Sequence, residues 1–295
     1  MKIQGCFTAI VTPFKNGGVD FGALKKIVRF QLENGVSGLA PCGSTGEAAT
    51  LSQEEYFAVI KTVVAAAGGK IPVFPGAGTN STARSVEMVK KVSALGVDGL
   101  LAVVPYYNKP TQDGITAHFS AIAGATRLPI ILYNIPGRTG VNMLPATVLG
   151  LRKKFSNIAG IKEASGSLDQ VSEIINGADA DFVVMSGDDS LTLPMMSVGA
   201  RGVISVVSNA APAETAQMCG FFLKGELSRA ARMHHKLFPL IKSLFVETNP
   251  IPVKYAVSLL GLCKPEPRLP LTPLIGKNRE TLKKALSAAG INRRR

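Results

Sequence analysis

The 295-residue chain has no tryptophan, only three histidines and four cysteines, and 20 acidic against 33 basic side chains. Cys6, Cys42, Cys219 and Cys263 stand far apart and form no CxxC pair, which excludes a thioredoxin-type motif and a zinc knuckle. They read as reduced core thiols of a cytoplasmic protein. His234 and His235 would diverge by about 100° around a helix, and His118 is remote, so no metal site is expected. Every apolar run is cut by Gly, Pro or charge well before the roughly 20 residues that span a bilayer, so no membrane partner is expected. The opening MKIQGCFTAIVTPF is interrupted by Gln4, Gly5 and Thr8 and reads as a strand, not a signal peptide. Neither GxGxxG nor GxxxxGK[ST] occurs, which argues against a dinucleotide fold and a P-loop.

The formal charge of +13 invites a nucleic-acid partner. Yet the basic pairs Lys25-Lys26, Lys90-Lys91, Arg152-Lys153-Lys154 and Lys283-Lys284 are scattered over separate helical segments, as on solvated faces. With no aromatic-basic stacking module, the expectation is no nucleic acid, and a basic exterior that attracts small carboxylates. Arg293, Arg294 and Arg295 read as a frayed, solvated end.

What the chain does have is apolar content of 46% against 18% charge, enough for a large core. Eight short β-rich runs, at 7–11, 38–41, 72–75, 99–104, 130–133, 158–162, 182–185 and 203–206, alternate with helical patterns. Leu24, Ile27, Val28 and Leu32 mark one helical stripe, and Val86, Val89, Val92 and Leu95 another. Ser52 and Glu55 have capping-box spacing. A doubly wound sheet seldom reaches eight parallel strands, so the predicted fold is an α/β (β/α)8 TIM barrel over 1–224. Helical patterns at 227–245, 252–260 and 279–289 make 225–295 an appended C-terminal helical segment. The active site of such a barrel lies at the C-terminal ends of its strands.

Lys162 closes the apolar run IAGIKEAS, whose alternation predicts Ile158, Gly160 and Lys162 on one inward face. Desolvation there would lower the amine's pKa and make it a nucleophile toward a carbonyl. The competing reading is a lysine snorkelling to solvent. One strand earlier, YNIPGRTG offers the Tyr133 phenol for proton transfer and the Arg138 fork for a carboxylate, or else a core tyrosine and a surface arginine. CGSTGE, with Ser44 and Thr45, is either an anion-binding nest or a plain turn. PYYNKP adds Tyr107 as a second phenol, and Asp188-Asp189 reads as a helix N-cap before it reads as a metal site.

Together, TAIVTPF, GSTGEAATL, PYYNKP, YNIPGRTG, GIKEASG, SGDD, GVISV and FVETNPIPVKYA closely resemble the dihydrodipicolinate synthase family, within the N-acetylneuraminate lyase superfamily. The resemblance spans nearly the whole chain. It implies a lyase of the diaminopimelate route to lysine, condensing pyruvate with L-aspartate 4-semialdehyde through an imine on Lys162, with no cofactor. It further implies a proton relay of Tyr133, Ser44 and Tyr107, with Tyr107 reaching into a neighbouring subunit of a homotetramer. Thr45 would then hold the pyruvate carboxylate and Arg138 the semialdehyde carboxylate, with Gly187 and Ile204 lining the pocket. Ser44 departs from the family's usual threonine but keeps the hydroxyl.

The resemblance also implies an allosteric lysine cleft, here with an altered lining. Asn80 and Tyr106 match it, whereas Gln53, Tyr56 and Arg84 stand where lysine-sensitive members carry two histidines and a glutamate. Two rivals differ in class. Another pyruvate-dependent aldolase, for N-acetylneuraminate or a 2-keto-3-deoxy sugar acid, would share Lys162 and Tyr133 without needing Arg138. A non-catalytic binding barrel would bind no pyruvate.

Overall fold

Apolar runs become strands here wherever both backbone edges find partners, and seven of the eight expected runs do so in one continuous sheet. The computed structural model describes residues 2–291. The basic tail Arg293, Arg294 and Arg295 lies outside them. In chain order the strands are β1 (Gly5–Thr8), β2 (Phe14–Lys15), β3 (Gly18–Val19), β4 (Gly38–Leu39), β5 (Leu100–Val103), β6 (Ile130–Asn134), β7 (Ile158–Glu163), β8 (Val183–Ser186) and β9 (Gly202–Ser205). β2 and β3 form a small antiparallel hairpin. The others run parallel in the order β4-β1-β9-β8-β7-β6-β5.

Closure between β4 and β5 comes from the expected third strand, which survives only as single bridges of Val73 to Leu39 and Gly76 to Leu101. Pro72 and Pro75 have no N–H to give, so the ladder is broken. Their carbonyls still accept from Leu39 (2.9 Å) and Leu101 (2.9 Å), and the Phe74 N–H reaches the Leu39 carbonyl at 2.8 Å. The eight-stranded ring of a (β/α)8 barrel is thereby complete.

The first strand stops at Thr8 rather than at residue 11 because a side chain takes over the pairing. Asn209 accepts from the Val11 N–H at 3.0 Å and donates to the Ala9 carbonyl at 2.8 Å. Inside the ring, Phe7, Phe74, Leu101, Ile131, Met185 and Ile204 pack together, with the Phe7 and Phe74 rings edge to face at 5.9 Å. Outside it, Leu24, Ile27 and Val28 are buried as their spacing predicts, on the core-facing side of the helix Phe21–Glu33. The Ser52–Glu55 capping box starts the helix Gln53–Ala67. Beyond the barrel helix Pro212–Leu223, three more follow at Leu227–Ser243, Ile251–Leu259 and Gly276–Ala288. Among the described residues no helix is long and apolar enough to cross a membrane.

One expectation about β7 is corrected. Ile158 pairs with Ile130, but the register then slips so that Gly160 pairs with Ile131 and Lys162 with Tyr133. The extra residue at this bulge puts Ile158 in the helix-side core, while Gly160 and Lys162 follow the inward face of Ile131 and Tyr133.

Candidate active site

Lys162 is 5% exposed, and its Nζ stands 4.2 Å from the centre of the Tyr133 ring. Burial pulls the amine down to about 8, the Arg138 guanidinium pushes the same way, and the Asp189 carboxylate opposes both. The same burial drives the Tyr133 phenol well above its ordinary value, with Arg138 moderating the rise. Room beside the amine depends on Gly187. A methyl there would lie 3.1 Å from Lys162 Cε and 2.7 Å from Ala164 Cβ.

The strand ends that carry this pair are pinned from the helix side. Glu163 is buried and accepts from Asn134 Nδ2 (3.0 Å), Gln170 Nε2 (3.0 Å) and the Ser165 N–H (2.6 Å). Asp189, also buried, accepts from the N–H groups of Val206 (2.9 Å) and Val207 (3.0 Å), tying the end of β9 to the loop after β8. Asp188 caps that short turn through Ser190 at 2.9 Å, the N-cap use expected of it.

Beside Tyr133 opens a cavity of about 830 Å³, lined in part by Ser44, Tyr133, Arg138 and Asn249. Thr45 is buried behind it and its hydroxyl accepts from Asn249 Nδ2 at 2.9 Å. Arg138 Nη2 donates to the Asn249 carbonyl at 3.0 Å. Asn249 therefore stands between the loop hydroxyl and the guanidinium, with its own Oδ1 buried and unpartnered. Its part in the site is absent from the sequence reading. The available signal is a polar residue directly before the proline that opens a helix, in the block FVETNPIP.

Gln53, Tyr56, Arg84, Glu87 and Tyr106 also line this cavity. The Tyr56 hydroxyl donates to the Gly76 carbonyl, and Glu87 pairs with Lys91 at 2.7 Å. Asn80 lies at the edge, its carbonyl accepting from Asn108 Nδ2 at 2.9 Å. Lys162 thus meets Tyr133 and Gly187, Ile204 packs in the same inner cluster as Tyr133, and Ser44 and Arg138 line one cavity, with Thr45 joined to Arg138 through Asn249. Tyr107 does not join them within one chain. It is 88% exposed, with a left-handed backbone at φ 74°.

An inward lysine paired in register with a tyrosine, beside a cavity holding an arginine, is the arrangement implied by the motif blocks. The family model for the dihydrodipicolinate synthetase family matches residues 2–289. The chain belongs to the dihydrodipicolinate synthetase family. A family member named 4-hydroxy-tetrahydrodipicolinate synthase, from Nitratidesulfovibrio vulgaris (strain Miyazaki F), is 47% identical over 291 residues, covering 99% of this chain and all of that one. The solved dihydrodipicolinate synthase from Thermotoga maritima superposes with a TM-score of 0.96 at 46% identity, covering 98% of this chain and 99% of that one. The enzyme of the same family from Cyanidioschyzon merolae, solved with lysine bound, superposes at 0.94 with 45% identity and 98% coverage of both chains.

Proposed function

We propose that this chain catalyses the 4-hydroxy-tetrahydrodipicolinate synthase reaction, condensing pyruvate with L-aspartate 4-semialdehyde. The observation that carries the reading is the buried Lys162 amine, pulled down to about 8 and set against Tyr133 beside a cavity that also holds Arg138. At pH 7 roughly one such amine in ten is neutral, against fewer than one in a thousand for an ordinary lysine.

The neutral amine adds to the keto carbon of pyruvate, and loss of water leaves the imine. The imine accepts the electron pair left when a methyl proton departs, so the step requires no metal or cofactor. The resulting enamine carbon attacks the aldehyde of the second substrate. The condensed product's own amino group then displaces Lys162 from the imine carbon, closing the ring and freeing the enzyme. Tyr133 and Ser44 carry protons in these steps, Thr45 and its loop receive the pyruvate carboxylate, and Arg138 receives the semialdehyde carboxylate. Gly187 keeps space open beside the imine, and Ile204 forms part of the apolar floor.

Tyr107 enters this relay from a second copy of the chain, in a homotetramer. Its exposure beside the cavity-lining Tyr106 supports that placement. Sedimentation showing a fully active monomer would contradict it.

A panel of aldehydes offered with pyruvate tests the reaction. L-Aspartate 4-semialdehyde should be consumed far faster than N-acetylmannosamine or glyceraldehyde. A preference for either sugar-type aldehyde would assign the chain to the sugar-acid aldolases.

A further inference from the structure

We propose that the buried ion pair of Glu47 and Lys254 is a positioning device for the Ser44 and Thr45 hydroxyls, through which the C-terminal helices hold the pyruvate end of the site. The inference rests on the reaction proposed above.

Lys254 Nζ and Glu47 Oε1 are 2.6 Å apart, and both side chains are 1% exposed. The ammonium also donates to the Glu266 carbonyl at 2.8 Å and sits 3.9 Å above the Phe14 ring. The other carboxylate oxygen, Oε2, accepts from the Arg268 N–H at 3.0 Å. Burying two opposite charges costs about as much as their attraction returns, and an apolar pair of equal volume is commonly no less stable. Stability alone is therefore a weak reason for this pair. Fixing a register is the better-attested use of buried charge.

The register at stake is that of the loop after β4. Glu47 has a left-handed backbone at φ 52°, which a residue with a side chain adopts only when its surroundings hold it there. Its N–H donates to the Ser44 carbonyl at 3.2 Å, closing the turn that contains both hydroxyl residues. Moving Glu47 therefore moves Ser44.

The same C-terminal segment grips this turn twice. Asn249 holds the Thr45 hydroxyl at 2.9 Å, and Lys254, whose N–H reaches back to the Pro250 carbonyl at 2.9 Å, holds the Glu47 carboxylate. Arg268 extends the grip past the loop, donating to the Thr50 carbonyl at 2.9 Å and to Glu55 at 2.6 Å. Its guanidinium lies 4.3 Å from the Phe14 ring that also carries Lys254. Arg138, by contrast, is anchored to the Asn249 carbonyl and does not touch the pair.

That asymmetry gives a test specific to positioning. The double variant Glu47→Gln/Lys254→Met removes both charges and keeps both volumes, so no lone buried charge is left. In the full-length protein it should fold, and borohydride should still trap pyruvate on Lys162 at saturation. Its KM for pyruvate should rise and its kcat should fall, each on the order of tenfold, because displaced hydroxyls act poorly on a bound substrate. Its KM for the semialdehyde should stay near that of the unaltered chain.

Parent-like pyruvate kinetics in the folded variant would overturn the proposal, as would equal rises in both KM values, the mark of general loosening. Failure to fold would assign the pair to stability and also overturn it. Absence of pyruvate trapping in the unaltered chain would sink the underlying reaction, and this role with it. Trapping there, with an unaffected variant, would sink the positioning role alone.

Discussion

Lys162 and Tyr133 are paired in register across β6 and β7, and the lysine Nζ lies 4.2 Å from the tyrosine ring centre. Burial strips water from the amine and favours its neutral form, against the pull of the Tyr133 ring face and the Asp189 carboxylate on the ammonium. With the amine at about 8, imine formation with pyruvate should accelerate as pH rises from 6 to 8 and level off above that. Stopped-flow rates across this range check it. A rate still rising steeply at pH 10 would mean an ordinary, solvated lysine.

The same shift has a cost in stability. Lys162 falls from an ordinary 10.5 to about 8 on folding, so between those values the unfolded chain binds more protons than the folded one. Its contribution therefore improves as pH rises from about 8 to 10.5 and is unfavourable below about 8, by on the order of 3 kcal/mol. Lys162→Met should abolish turnover and yet raise the melting temperature at pH 7 by several degrees. Calorimetry showing a lower melting temperature would contradict this account of the buried amine.

Gly187→Ala should slow imine formation, because its methyl would crowd Lys162 Cε at 3.1 Å and Ala164 Cβ at 2.7 Å. Overpacking of this kind costs about 1–3 kcal/mol, so the fold should persist. A normal trapping rate in a folded variant would show that the strand ends adjust freely.

Arg138→Ala should impair use of the semialdehyde while sparing imine formation with pyruvate. A charge-assisted hydrogen bond to a carboxylate is worth about 1.5–3 kcal/mol, or roughly ten- to a hundredfold in kcat/KM. Unchanged steady-state kinetics with the semialdehyde would remove Arg138 from that role.

Millimolar L-lysine should inhibit weakly. By the family resemblance Arg84 stands where lysine-sensitive members carry a glutamate, and Glu87, which lines the same cavity, is already paired with Lys91. Arg84 is exposed, so solvent screens its repulsion, and loss of a carboxylate partner for the ligand's ammonium groups carries the argument. Half-inhibition below about 1 mM in a steady-state titration would show that the cleft still recognises lysine.

The barrel was legible because doubly buried strands read as unbroken apolar runs and their helices as spaced stripes. Lys162 and Tyr133 were legible as a pair because both end such runs. The bulge that moves Ile158 to the helix side was not, since a register slip leaves no mark in periodicity at one strand. The sequence reads residues 225–295 as an appended helical segment, yet Asn249 reaches Thr45 across 204 residues and Lys254 reaches Glu47. Contacts this distant depend on how the last helices dock, which local patterns do not encode.

The central claim is that the Lys162 amine is the covalent nucleophile, and reductive trapping tests it most directly. Incubation with pyruvate and borohydride, followed by peptide mass mapping, should place one reduced three-carbon adduct on Lys162. It should vanish in Lys162→Ala. An adduct on any other lysine, or none at saturating pyruvate, would contradict the account.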